Sequence, residues 1–342
     1  MSLSFPFPQL PAPGDRIAVA PGVYWLRMSL PFQLDHINLW LIEDGEGWCV
    51  VDTGFANDAT RAAWEQILGK LVRPVSRLIV THFHPDHLGL ADWFEKRAGA
   101  ELHMSTGEFL TAHVVWNEVG GHGARFMVDQ FRQHGLDEER LARYETRGSG
   151  YRQSMSALPQ TYRRLVEGSE LRIGGHVWRT IIGYGHSPEH VALHCPELEV
   201  FISGDMLLPK ISTNISVMAA TPQADTLDAY LSSLDRYARE LPATTLVLPS
   251  HGLPFVGVQA RVEALEAHHS ERLQALETAC VTPQSAASVL STLFPRPLDT
   301  HQIMFAMGEA IAHLNFLEAR GRLTRVPGAD GVVRFMREGP AP

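Results

Sequence analysis

The feature that most constrains this chain is His82-Phe83-His84-Pro85-Asp86-His87, which crowds four metal-ligating side chains into six consecutive residues. It follows an apolar run, Leu78-Ile79-Val80, and precedes Leu88 to Lys96, whose spacing suits a helix. In extended chain, residues two apart point to one side, so His82 and His84 share a face. Imidazole nitrogens and carboxylate oxygens are the donors that zinc and similar borderline cations take. A His-rich surface turn is the plain alternative. The metal reading makes a stronger demand: the fold must bring further donors to this strand end from distant sequence.

Three later positions meet that demand. His186 lies in Gly185-His186-Ser187-Pro188-Glu189-His190, Asp205 in Ser203-Gly204-Asp205, and His251 in Ser250-His251-Gly252. Each comes just after a segment that reads as a strand. Taken singly, each would read as a core histidine, a turn aspartate or a loop histidine. Taken together and in this order, they read as ligands.

The surrounding pattern is layered α/β. Strands are expected at Val23 to Leu26, Ile37 to Ile42 and Trp48 to Val51, the last ending in Asp52-Thr53-Gly54. A helix over 57–70 would be capped by Asn57 or Asp58. Residues 106–167 change character: Phe109, Trp116, Phe126, Phe131, Tyr144, Tyr151 and Tyr162 sit at helix-like spacing among polar residues, which predicts inserted helices. Strands resume at Val177 to Ile182, Val191 to Leu193, Val200 to Ile202 and Thr245 to Leu248. A long helix is expected over 259–280. Helices near 284–293 and 300–319, then a hairpin of Leu323 to Val326 with Val332 to Phe335, give the outline of a winged helix.

Asp52-Thr53-Gly54, the His82–His87 run, His186, Asp205 and His251 together resemble the motifs of the metallo-β-lactamase superfamily, over about residues 17–258. The resemblance implies an α/β fold, a four-layered αββα sandwich with the metals at one edge of the paired sheets. Here that sandwich would carry inserted helices and a small C-terminal winged-helix-like domain. The expected division is 1–258 for the metallo-β-lactamase domain, 259–280 for a linking helix and 281–342 for the C-terminal domain. The resemblance also implies a site assignment. His82, His84 and His186 would hold one metal; Asp86, His87 and His251 would hold a second; Asp205 would bridge them. Asp52 would brace the ligand loops, and His190 would support the fold of the site rather than ligate. His36, and His268 with His269, read as structural.

Two divalent cations are therefore expected, zinc foremost, with iron and manganese also suited to these donors. Such a pair acidifies a shared water and polarises a carbonyl or phosphoryl oxygen, so no Ser or Cys nucleophile is required. A metal-bridged hydroxide would then attack, with Asp86 and Asp205 as the catalytic carboxylates and Asp86 able to relay a proton to the leaving group. His at position 84 argues against the oxygen-reducing di-iron branch, whose pattern has Glu there. The ligand set is that of the glyoxalase II-like branch, although the basic and Tyr residues that bind glutathione there cannot be located here. The expected activity is hydrolysis of an ester, thioester or lactone in a small-molecule substrate. The alternatives are a ribonuclease or phosphodiesterase of the same superfamily, and a non-catalytic metal-binding scaffold.

Charge weighs against the nuclease. The net charge is −9, and no dense Lys/Arg run is present. In the expected recognition helix, His301 to Arg320, the only Lys or Arg is Arg320, among Ile303, Met304, Phe305, Met307, Ile311, Leu314 and Leu317. Nucleic-acid readers show the opposite balance. That helix is expected to pack on another subunit or on its own catalytic domain, and a homo-oligomer through the C-terminal domain is expected. An anionic handle on the substrate could meet Arg152, Arg163 or Arg164 if the insertion roofs the site; Lys210 is a lesser candidate. Cys49, Cys195 and Cys280 show no disulfide or metal-knuckle spacing. Met1 to Asp15 lacks the pattern of a signal peptide, and no stretch approaches the ~18 apolar residues of a membrane span. A soluble cytoplasmic protein is the expectation.

Overall fold

In the computed structural model, which describes residues 2–147 and 150–337, the tryptophans Trp25, Trp40 and Trp178 lie on separate strands and are almost wholly buried in one apolar cluster. That cluster is the interior of two facing sheets. The first runs in chain order: β1 (Ile17–Ala20), β2 (Val23–Ser29), β3 (His36–Asp44), β4 (Gly47–Val51), β5 (Val75–Ile79), β6 (Glu101–Ser105) and β7 (Arg163–Leu165). Its first four strands form an antiparallel meander, and from β4 to β7 the pairing is parallel. Parallel neighbours need long crossovers. These are supplied by α1 (Asp58–Lys70), by α2 (Pro85–Leu88) with α3 (Ala91–Ala98), and by α4 (Thr106–Trp116), α5 (Ala124–Gln133) and α6 (Glu138–Arg147).

The second sheet holds β8 (Glu170–Ile173), β9 (His176–Gly183), β10 (His190–Cys195), β11 (Val200–Gly204), β12 (Leu246–Pro249) and β13 (Phe255–Val256), with β8 at one edge and β13 at the other. Its strands pair antiparallel except β11 with β12, which are joined across α7 (Thr226–Glu240). Strand alternation sorts the faces. Val200 and Ile202 point into the shared core, while Phe201 meets Tyr237 of α7, ring centroids 5.0 Å apart. Outside the first sheet, Trp64 of α1 packs edge-on against Phe94 of α3 at 4.7 Å. Asn57 is the residue that caps α1, accepting the Thr60 amide at 2.8 Å.

The chain ends with α8 (Val258–Ala279), α9 (Leu290–Leu293), α10 (Thr300–Ala319) and the hairpin β14 (Thr324–Pro327) and β15 (Val333–Met336). Residues 1–113, 150–213 and 234–262 make one compact unit; 114–149, 214–233 and 263–342 make a second. Both sheets belong to the first unit. In the second, α10 opens with a capping box from Asp299 and Gln302, and nearly every residue from Ile303 to Leu317 is buried. Its apolar composition is thus used in packing.

The structure corrects the sequence reading in places. The insertion is α-helical as far as Arg147, has a short 3-10 turn at Arg152–Ser154, and returns to the sheet as β7. A three-residue strand carries too little periodicity to be seen. The helix expected over 284–293 shortens to α9, because Ser285 and Ser288 spend their hydroxyls on each other's backbone amides, a local alternative to helix. Met1 and residues 148–149 and 338–342 of the expected domains lie outside the described residues. Among the described residues, no helix is long and apolar enough to cross a membrane.

Candidate metal centre

Ligand geometry begins with β4. At its end Asp52 turns into the left-handed region, φ 61°, and its carboxylate faces the end of β5. Oδ1 accepts the Thr81 amide at 2.8 Å; Oδ2 accepts the Thr81 hydroxyl at 2.9 Å and His87 Nδ1 at 2.8 Å. The turn that follows Thr81 is held closed by Thr53, whose amide and hydroxyl both donate to His87 O, at 2.8 and 2.7 Å. Gly89 makes this closeness possible. A Cβ there would come within 2.4 Å of Pro85 O and 2.6 Å of Gly54 O.

Two groups of donors result, all in the first unit. His82, His84, His186 and Asp205 offer donor atoms within 4.8 Å of one another, and so do Asp86, His87 and His251. In the first group, His82 Nε2 lies 2.9 Å from His84 Nδ1 and 3.2 Å from His186 Nε2. In the second, Asp86 Oδ2 lies 3.7 Å from His87 Nε2 and 3.6 Å from His251 Nε2. Asp205 stands between them. Its Oδ2 is 3.5 Å from His186, and its Oδ1 is 3.4 Å from both His87 and His251. Every residue of the expected ligand set is therefore brought together.

Whether this set fits a metal can be judged from its unmatched atoms. His87 Nε2 and Asp205 Oδ1 are buried, face each other, and find no hydrogen-bond partner among the described residues. Buried polar atoms are ordinarily paired, so a cation between them accounts for both. The electrostatics agree. Burial and neighbouring imidazoles hold His82 and His84 far below the usual histidine range, in the neutral state a ligand needs. Burial opposes protonation of His87, but the carboxylates of Asp52, Asp86 and Asp205 raise it well above that range. Burial likewise disfavours the Asp205 carboxylate, yet His251 and His87 draw its pKa far down. The carboxylates around the second group thus favour positive charge there, which a bound cation would supply.

Supporting residues complete the picture. His190 Nε2 accepts the Asp205 amide at 3.2 Å, in keeping with a supporting role. His36 does more than hold a strand: its carbonyl accepts His251 Nδ1 at 2.8 Å and its Nε2 accepts the Gly252 amide at 2.9 Å. Sequence reasoning missed Asn38, Glu108, Tyr151 and Arg261. Asn38 Nδ2 donates to Pro249 O and Gly252 O, both at 2.8 Å, on either side of His251; a lone amide in the apolar run of β3 was a readable sign of this. Arg261 of α8, buried, donates to Leu208 O and Ile211 O in the loop after Asp205. Glu108 accepts from Phe83, Ser187 and Glu189; burial pushes its carboxyl up to about 7. Tyr151 donates to Phe83 O at 2.6 Å.

Other candidates lie elsewhere. Arg163 is an exposed residue of β7, paired with Glu101 at 2.6 Å, and Arg164 is its strand neighbour. Lys210 is exposed. His269 lies in the second unit with its Nδ1 3.1 Å from His313. Phe131 packs against Tyr144 at 6.2 Å, also within that unit.

Comparison with known proteins agrees with this geometry. The family model for the metallo-beta-lactamase superfamily matches residues 33–251, and one for a metallo-beta-lactamase-like C-terminal domain matches 273–338. A solved beta-lactamase domain protein from Burkholderia ambifaria is 47% identical with a TM-score of 0.92, covering 98% of each chain. A solved metallo-beta-lactamase family protein from Thermus thermophilus is 32% identical with a TM-score of 0.80, over 94% of this chain and 100% of that one. Probable metallo-hydrolase YqjP of Bacillus subtilis (strain 168) is 25% identical over 308 residues, 87% of this chain and 93% of that protein.

Proposed function

The chain belongs to the metallo-beta-lactamase superfamily and is a metal-dependent hydrolase, and from that premise we propose that it holds two divalent cations and cleaves an ester, thioester or lactone bond in a small molecule. The observation that carries the dinuclear part is the position of Asp205, one oxygen toward each group of histidines, with Oδ1 and His87 Nε2 left unmatched. His82, His84 and His186 would hold one ion, Asp86, His87 and His251 the other, and Asp205 would span both. When bound, such a pair supplies an acidified water and an electrophile for the substrate oxygen. The chain's own part is to fix that pair and to move a proton. Of the two carboxylates, Asp86 is the more open, its side chain 20% exposed against 11% for Asp205. Asp86 is therefore suited to pass a proton toward the leaving group.

The preference for a small acyl substrate over RNA rests on the second unit. Arg320 pairs with Asp225 at 2.7 Å and with Asp228; Arg322 pairs with Glu277, Arg325 with Glu318, and Arg334 with Asp330. Zinc fits the donor chemistry. The test is elemental analysis together with a panel of nitrophenyl esters, acyl-thioesters, lactones, bis-nitrophenyl phosphate and RNA. About two metal equivalents are expected, with chelator-sensitive acyl hydrolysis exceeding the rest. Chelator-sensitive RNA cleavage without acyl hydrolysis would overturn the substrate assignment.

A further inference from the structure

Resting on the dinuclear reading, we propose that Glu108 is a positioning residue for the metal centre. In this role its carboxylate fastens the loop carrying His82 and His84 to the loop carrying His186, so that the three imidazoles of the first group converge before any cation arrives.

The geometry is specific. Glu108 stands in the first turn of α4, fully buried, outside both donor groups. Oε2 accepts the amide of Phe83, the residue between His82 and His84, at 2.9 Å. Oε1 accepts the hydroxyl of Ser187, the residue after His186, at 2.6 Å, and the amide of Glu189 at 2.7 Å. One carboxylate therefore spends an oxygen on each loop. No Lys or Arg pairs with it among the described residues; these donors, with the nearby His186, favour its charged form against burial.

The contact is reciprocal. Glu189 Oε2 accepts the Gly107 amide at 2.7 Å, and Glu189 O accepts the Ser105 hydroxyl at 2.8 Å. The approach is so close that a Cβ on Gly107 would fall 2.8 Å from the Glu189 carboxyl carbon. Phe83 is held from its other side too: its carbonyl accepts the Tyr151 hydroxyl at 2.6 Å. Burial keeps that phenol protonated, hence a donor. The backbone between His82 and His84 is thus gripped at its N–H by Glu108 and at its C=O by Tyr151. Imidazoles whose backbone is fixed lose less freedom on binding a cation, and partners of this kind are worth about 10–100-fold in metal affinity.

Metal binding alone tests this, using zinc in competition with a chromophoric chelator and cobalt(II) as a spectroscopic reporter. A Gln at 108 can accept from one loop only. In Glu108→Gln, one zinc equivalent is expected to weaken about 10–100-fold while the other stays within about threefold. The cobalt visible bands should shift, and the metal-free protein should melt near the wild-type temperature. Unchanged affinity for both equivalents would overturn the proposal. So would equal weakening of both in step with a lower metal-free melting temperature, which is the signature of general damage. If Glu108→Gln does not fold, Tyr151→Phe decides: weakening of one equivalent supports the clamp, and wild-type affinity overturns it. Wild-type protein that takes up no metal would instead overturn the reading on which this one rests.

Discussion

On the dinuclear proposal, replacing Asp52 by Asn should affect the two donor groups unequally. In the native site Oδ1 accepts the Thr81 amide, and Oδ2 accepts the Thr81 hydroxyl and His87 Nδ1. An Asn can keep the first bond through its carbonyl. Its amide would face the Thr81 hydroxyl, which can rotate to accept, but would oppose the N–H of His87. The loss falls on one charge-assisted bond, worth about 1.5–3 kcal/mol. That bond also fixes which ring nitrogen of His87 is free for metal. Its removal should weaken the second zinc by about 10–100-fold, or about 1.4–2.8 kcal/mol, and leave the first less changed. Competitive zinc titration of Asp52→Asn reads both equivalents in one experiment. Two zinc ions bound with wild-type affinity would show that Asp52 does not orient His87. The complementary pattern in Glu108→Gln would then also lose its meaning as a contrast between sites.

Two further outcomes follow from packing and charge. Gly89→Ala places a methyl against Pro85 O and Gly54 O; overpacking of this kind costs about 1–3 kcal/mol, so both the melting temperature and the bound metal should fall, and unchanged values for both would show that the turn yields freely. His134, whose ring lies over Phe335 in the second unit, is held down to about 4 from 6.5, first by burial and then by Arg325. Above pH 6.5 both folded and unfolded chains leave it neutral, so its contribution is intact there. As pH falls toward 4, the unfolded chain takes up a proton that the folded one refuses, and stability drops by about 1.4 kcal/mol per pH unit. His134→Gln should flatten the fall in melting temperature between pH 7 and pH 5, and an equal fall in both proteins would exclude His134 as its source.

What the sequence disclosed of the fold followed from periodicity. Long apolar strands such as β3 and β9, and helices such as α8 and α10, are long enough and distinct enough in residue type to be placed from the sequence. β7 has three residues, two of them exposed arginines, and no local pattern distinguishes it from loop. It is a strand because β6 offers it a parallel partner, from His103 to Ser105. The division into units was hidden for a related reason. The second unit draws on 114–149 and 214–233 as well as the C-terminal residues. The change of character over 106–167 flagged an insertion, but nothing local ties 114–149 or 214–233 to the C-terminal residues with which they pack.

The site shows the same division between what residue type announces and what only geometry reveals. Imidazole and carboxylate groups at strand ends declare themselves, because few other roles call for them in that order. The braces do not. Asp52 was found because it precedes a Thr-Gly turn that the family shares; Glu108 stands in an ordinary helix start, Thr106-Gly107-Glu108-Phe109, that any surface helix could carry. Nothing local says that its carboxylate is buried or that Phe83, Ser187 and Glu189 aim their donors at it. Yet the two braces are equivalent in physical terms. Each is a buried acid at the start of a connection beyond a parallel strand, and each spends its oxygens on loops that carry ligands. Asp52 reaches the ring of His87 in the second group and the Thr81 backbone beside His82 in the first; Glu108 reaches the backbone beside His82, His84 and His186. A site built from two donor groups needs more than one brace, because one rigid loop cannot set donors that arrive from four strand ends. Between them, the two braces fix loops that carry donors of both groups.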